Sequence, residues 1–533
     1  MRHRRSKTLG ASLILSVGLL LGLGAQVWAE VSATAQQPLV LAARSRAELS
    51  EGAGKWVVVL KKLQWQPSET AVVICDMWDQ HWCKGASSRV AEMAPCMNNI
   101  VAAARRKGVL IIHAPSGTMD YYKDHPARKR AQEAPKAVNL PAGIGNWCNW
   151  ISQREEKVGY PIDHSDGGCD CQPKCKEYSA WKKQTDAIEI QERDAVSDSG
   201  VEVWNLLEQR GIRNVILMGV HTNMCVLGRP FGLRNMARYG KNVVLMRDLT
   251  DTMYNSQASP HVNHFTGTDL VAEHIEKFVC PTVTSTAITG APQFIFKDDK
   301  RPRVVFISAE HEYDAAQTLP EFADELARKH GLYCEIVQGS PQKDGPNLHW
   351  IAGMEALARA DLVVVFARRR AFPADQMKYL RDYFAAGRPL IGLRTASHAF
   401  DTRGNTPAGH SDWPKFDPEV LGGNYSGHYN SGPKTTVTPA PGSQGHPILA
   451  GVELPFVSNG SLYQAKPLAQ TATLLLTGTI PDQEPEPVAW TNGYGSSRIF
   501  YTSLGHPDDF ANQQFRRLLI NAVFWAMGKP VPE

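Results

Sequence analysis

The sequence has almost no net charge: 57 Lys and Arg stand against 53 Asp and Glu, +4 in all. The excess lies in Arg2, Arg4, Arg5 and Lys7, and residues 1–29 hold no acid, so without that stretch the two signs balance. A neutral chain offers no electrostatic footprint to nucleic acid or to an anionic membrane. A membrane-spanning run is also missing: the apolar stretch Ala11–Leu23 has about 13 residues, short of the ~20 that cross a bilayer. There is no internal repeat. Hydrophobic residues make up 43% and charged residues 21%, which excludes wholesale disorder and a polytopic membrane protein. At roughly 100–200 residues per domain, 533 residues imply two to four domains.

The basic start, the short apolar core and the small residues of Val27-Trp28-Ala29 read as a signal peptide, residues 1–29, cleaved after Ala29. The expected mature protein is periplasmic or secreted, with no membrane attachment once the signal is removed. Export would place the ten cysteines in an oxidising compartment. Cys169-x-Cys171-x3-Cys175 lies in a Gly- and Asp-rich insertion, Asp163 to Lys176. Two readings are open: a disulfide-stapled loop, with Cys83 and Cys148 as candidate partners, or a structural zinc site. The spacing is not that of paired Cys-x2-Cys knuckles.

Two regions alternate short β-branched strands with amphipathic helices, the pattern of parallel-sheet α/β domains. The predicted fold class is α/β, two Rossmann-like three-layer domains, each with a mainly parallel sheet. The first domain is expected over 50–285, with strands Ala71–Cys75, Val109–His113, Val215–Val220 and Asn242–Leu245, and with a helix from Cys225 to Tyr239. A polar linker is expected at 286–301 and a second domain at 302–530, with a looser Gly- and Pro-rich segment, 400–490.

Chemistry in such sheets collects past the carboxyl ends of strands, where Asp76 and Cys225 both fall. Cys225 also opens a helix, where amides and the helix dipole lower a thiol's pKa and exposed amides can hold an oxyanion. A carboxylate beside the thiol can act as general base and then as general acid. The same residues also fit a buried structural cysteine and a turn aspartate. Trp78, Trp82, Trp147 and Trp150 could line a cleft or pack the insertion.

Thr70-Ala71-Val72-Val73-Ile74-Cys75-Asp76-Met77-Trp78 and the Val215–Val226 stretch, with Gly219-Val220-x-Thr222-Asn223-x-Cys225-Val226, resemble the isochorismatase-like cysteine hydrolases, which include nicotinamidases. The resemblance implies a C–N hydrolase working through a thioester, with Asp76 as acid/base and Cys225 as nucleophile. It implies an oxyanion hole at the Met224 and Cys225 amides and a cis peptide at Val220–His221. His221, Asn223 and His113 are expected to face the pocket. The family's lysine should fall near Glu192, where none is present, and Arg193 is the expected substitute cation. Nicotinamidases bind a metal through an Asp and two His. Asp79, His81 and His113 lie near Asp76, but no metal or other cofactor is assigned.

Gly387-Arg388-Pro389-Leu390-Ile391-Gly392-Leu393-Arg394, Gly445-His446-Pro447-Ile448, Pro487-Val488-Ala489-Trp490 and Ser497 to His506 resemble the trehalose-utilisation (ThuA-like) domain, a relative of the class I glutamine amidotransferase fold. The resemblance implies that relatives active in amidotransfer carry a cysteine at a strand–helix elbow; here that stretch reads Arg394-Thr395-Ala396-Ser397-His398, without a cysteine, so amidotransfer is not expected. Ser397-His398 is read as a turn with a capping serine rather than a nucleophile pair. Convergence of His398, His428, His446 and His506 is left open. The combined expectation is an exported cysteine hydrolase of a small amide or related ester, fused to a carbohydrate-associated domain. The alternative is a catalytically inactive protein that binds a small molecule or carbohydrate. Oligomers are frequent in the first superfamily, so a second copy of the chain is a further candidate partner.

Overall fold

The computed structural model describes residues 37–345 and 347–533; the expected signal peptide lies outside them. The fold class is α/β, and each half is built on a large sheet with a parallel core. In the first half, strands Thr70–Cys75 and Asn214–Val220 pair in parallel at the centre of an eight-stranded sheet. Every residue of both is buried, which is why they read as unbroken apolar runs. Leu110–Ala114 and Ala195–Val196 extend the sheet on one side, Asn242–Asp251 and Thr282–Val283 on the other. Gly219 permits the central approach: at φ +115°, a Cβ there would stand 2.0 Å from the Cys75 carbonyl oxygen. Helix Lys84–Arg106 covers one sheet face. The helix expected from Cys225 to Tyr239 is interrupted. A π-helical turn, Thr222–Val226, and a short helix, Leu233–Arg238, replace it, with Pro230, which has no N–H to donate, between them.

The sheet also contains an antiparallel hairpin, Leu39–Glu48 with Trp56–Trp65, whose first strand precedes residue 50. Its outer strand reaches the second half, where Val58 belongs to the hydrophobic core and Leu60 packs against it. The two halves are joined by charge as well. Glu335 of the second half, nearly buried, pairs with Arg247 at 2.9 Å and Arg44 at 3.7 Å. The segment 286–301 is not a free tether. Phe296 is part of the first core and Phe294 packs on it, while Arg301 binds Asp299 at 2.7 Å and Asp269 at 2.6 Å.

In the second half, strands Tyr333–Gln338, Arg303–Ala309, Leu362–Ala367, Leu390–Leu393 and Ser497–Thr502 run parallel in that spatial order. The segment 400–490, read as loose, instead supplies strands Thr435–Pro439, Phe456–Ser458, Thr473–Thr479 and Glu486–Tyr494, which continue the sheet in antiparallel fashion. No described helix is long and apolar enough to cross a membrane. All ten cysteines are free thiols, so none of the expected disulfides is present among the described residues. Cys148 lies apart from the insertion, with its sulfur 3.5 Å from the Trp150 carbonyl oxygen.

Candidate active site

Asp76 follows the central strand directly. It is a non-glycine residue at φ +49°, a conformation that costs energy and recurs at functional sites. Its side chain is fully buried. Oδ1 accepts the Ser116 amide at 2.7 Å, and Oδ2 accepts Arg229 Nε at 3.1 Å. Burial raises the Asp76 pKa, opposed by Arg229 and Ser116. Burial alone would lower the pKa of Arg229, but the Asp76 carboxylate together with the Cys225 and Cys75 sulfurs outweighs it, so the guanidinium stays charged.

Cys225 stands beside this ion pair. It is 8% exposed, and its thiol is close enough to Asp76 for each to alter the other's proton affinity. Burial first, and the carboxylate second, push the thiol up to about 12, with Arg229 pulling the other way. The lowering expected from the helix start is therefore overridden: a turn's dipole is weaker than desolvation plus an adjacent negative charge.

The cation is Arg229, not Arg193. Arg193 is exposed and takes part in no side-chain hydrogen bond or ion pair among the described residues. Arg229 lies one helical turn beyond Cys225, its amide donating to the Cys225 carbonyl at 3.0 Å. That i, i+4 spacing places both side chains on one face and was the available sequence signal. Trp147 lies over the guanidinium, 5.5 Å from ring centroid to Cζ, and 28% of the Arg229 side chain remains exposed.

The other expected site residues divide. The Val220–His221 peptide is cis. His221 is buried and its Nε2 has no partner among the described residues. Burial, then the neighbouring His81, hold its pKa near about 3, so the ring is neutral. It meets the His81 ring at 4.7 Å, in a group where Trp78 stacks on Trp181 at 4.5 Å. Asn223 does not face the pocket: its amide donates to the Met253 carbonyl and accepts the Met253 amide, both at 3.0 Å. Met224 is not a spare oxyanion donor, because its amide donates to the His221 carbonyl at 3.1 Å. His113 is committed elsewhere, with Nδ1 at 3.0 Å from Gln184 and Nε2 at 3.1 Å from Asp194, which also binds Arg105. The errors at Asn223 and His113 share a cause: strand and turn positions were legible, but the hydrogen-bond partners that claim those side chains are distant in sequence. Met224 differs, its amide being taken by a carbonyl three residues back in the same turn.

Asp79, His81 and His113 do not fit a shared metal. Asp79 accepts the Lys182 and Lys183 amides, His81 Nδ1 accepts the Cys83 amide, and the three form no ligand cluster among the described residues.

In the second half, Arg394 takes the elbow at φ +43°. Its guanidinium donates to the Ser503 carbonyl at 2.7 Å and to the Tyr313 hydroxyl at 3.1 Å. Ser397 lies in the expected turn, Arg394–His398, with its Oγ donating to the Arg394 carbonyl at 3.4 Å rather than capping a helix start, and the same Oγ lies 3.1 Å from His398 Nδ1. His398 stacks on Tyr425 at 4.6 Å. His446 and His506 instead cap local turns, so the four histidines do not converge.

The family described as trehalose utilisation (ThuA) matches residues 303–526. Residues 303–526 form a ThuA-like domain. A ThuA-like protein from Bacteroides uniformis is similar at 18% identity and TM-score 0.33, covering 44% of this chain and 95% of that one. A cysteine hydrolase from Pseudomonas syringae is similar at 15% identity and TM-score 0.26, covering 43% of this chain and 97% of that one. An isochorismatase family protein from Desulfovibrio vulgaris is similar at 14% identity and TM-score 0.23, covering 42% of this chain and 97% of that one. No curated protein matches. The chemistry of the first site rests on its own geometry.

Proposed function

We propose that this chain is an exported thiol hydrolase that cleaves the C–N bond of a small amide, or a related ester, at Cys225. The observation that supports it most is the buried Asp76 carboxylate held between Arg229, at 3.1 Å, and the adjacent Cys225 thiol. Arg229 favours the ionised carboxylate against burial, which raises its pKa. Asp76 takes the thiol proton as Cys225 sulfur attacks the carbonyl carbon. The protonated Asp76 then gives that proton to the leaving amine, and a thioester remains on Cys225. Water, deprotonated by Asp76, attacks the thioester carbonyl; the C–S bond breaks, Asp76 returns the proton to the leaving Cys225 sulfur, and the acid is released. Because the free thiol sits near about 12, proton transfer accompanies attack rather than preceding it. His221 Nε2, buried without a partner, is a ready donor or acceptor for a bound substrate. The ThuA-like domain gives the substrate a carbohydrate context.

A second reading, an inactive binding protein, is favoured by the strongly protonated thiol and the engaged Met224 amide. Arg229→Met separates the two. In the hydrolase, Asp76 loses its counter-charge and is protonated over a wider pH range. Turnover of small amides or esters should then fall by on the order of 100-fold or more, and the acid limb of the pH–rate profile should move to higher pH. Saturable binding of such compounds without turnover by the wild-type chain would support the binding protein instead.

A further inference from the structure

The insertion gathers four thiols at a place the proposed hydrolysis does not use. Cys83 precedes helix Lys84–Arg106, and Cys169, Cys171 and Cys175 come from the insertion. The sulfurs of Cys83, Cys169 and Cys171 all lie within 4.8 Å of one another, with Cys83 and Cys171 3.9 Å apart. Cys175 packs against the same cluster. A disulfide holds its sulfurs at about 2.05 Å. Four sulfurs placed tetrahedrally at about 2.3 Å from a zinc ion lie about 3.8 Å apart, close to the 3.9 Å between Cys83 and Cys171; Cys175 stands outside the mutual 4.8 Å group of the other three and would close in as the fourth ligand.

The surroundings suit sulfur as an anion. The Gly85 amide donates to Cys171 Sγ at 3.2 Å, from the N-terminal turn of the 23-residue helix Lys84–Arg106, whose dipole favours negative charge there. That first helical turn carries no acidic residue of its own, and the Asp170 carboxylate lies against it, 3.7 Å from the Cys83 sulfur. Between two of the thiols, Asp170 binds Arg89 at 2.6 Å, and Arg89 binds Asp251 at 2.7 Å. The insertion is thus tied to the end of a sheet strand. Gly168, at φ +69°, lets the chain enter the cluster, since a Cβ there would stand 2.4 Å from the Met253 carbonyl oxygen.

We propose that Cys83, Cys169, Cys171 and Cys175 bind one zinc ion in a closed structural site. Binding releases the thiol protons to solvent and leaves four thiolates on the metal. The site has a consequence for the Cys225 turn. Met253 and Met224 pack against the four cysteines, and Met253 is held by Asn223, two residues before Cys225. Zinc therefore fixes the insertion against the loop that positions the nucleophile, without touching the reacting atoms.

The test uses the full-length chain, purified reduced and without chelator. Elemental mass spectrometry should find one zinc per chain, and titrating the thiols with a mercurial should release it. Chelated, reduced chain should take up zinc chloride again. With cobalt chloride it should gain the visible and charge-transfer absorption of a tetrahedral cobalt thiolate. Cys175→Ser and Cys171→Ser should each lose the metal; if either fails to fold, the cobalt spectrum of the unmutated chain still decides. Disulfides among these four residues in unreduced peptide maps, iron in place of zinc, or reduced chain that binds no zinc would each overturn the proposal.

Discussion

Asp76→Asn should make Cys225 more reactive while making the protein a worse hydrolase. The carboxylate is one of the two main reasons the thiol sits near about 12. Unit charges about 4 Å apart at an effective dielectric near 20 interact by about 4 kcal/mol, or about three pKa units. Asparagine removes that charge and leaves Arg229 without its 3.1 Å partner, so the thiol should fall to roughly 9 or below. At pH 8 the thiolate fraction then rises by roughly 10³. A less basic thiolate is also a weaker nucleophile, and with a Brønsted slope near 0.4–0.5 the net gain is about 40-fold. The assay is iodoacetamide labelling with peptide mass spectrometry that resolves Cys225 from the other cysteines. The wild-type rate should climb with pH without a plateau below about pH 11. Equal or slower labelling of Asp76→Asn would mean that the carboxylate does not govern the thiol.

Two further outcomes follow from charges elsewhere. Glu335→Ala leaves Arg44 and Arg247 without their partner at the junction of the halves and should lower stability by about 3–5 kcal/mol in urea denaturation; an unchanged midpoint would remove that junction from the account. Burial alone would raise the pKa values of Asp251 and Glu273, but Arg89 and His264 bring the first well below its usual range, and Arg46 and Lys277 bring the second to about 2. Groups with depressed folded pKa values contribute stability above their unfolded pKa and lose it as pH falls through the folded value. The urea midpoint should therefore drop between about pH 5 and pH 2, and a flat profile there would contradict the ion pairs.

The sequence was informative where structure is local. Thr70–Cys75 and Asn214–Val220 are buried on both faces, so composition alone marks them as central parallel strands, and their ends locate Asp76 and Cys225. It was poor where a side chain's partner is remote. Arg229 joins Asp76 across 153 positions, and the search for a cation at the family's lysine position led to the exposed Arg193. His113 and Asn223 sit where pocket residues would, yet Gln184, Asp194 and Met253 take their polar atoms. The hairpin Leu39–Glu48 with Trp56–Trp65 was missed in part because it closes the first sheet and the second core together, a pattern that neither half shows alone. The four thiols meet only because the insertion folds back onto the start of helix Lys84–Arg106, 88 positions from Cys171 to Cys83.

The central claim is a covalent acyl intermediate on Cys225. Wild-type chain should be mixed with a panel of small primary amides and activated esters, quenched in acid within the first turnover, and measured as intact protein and as peptides. The account predicts an added acyl mass on the peptide carrying Cys225, decaying as the acid product appears, and neither adduct nor turnover in Cys225→Ala. Product formation that persists in Cys225→Ala, or an adduct on any other residue, would contradict it.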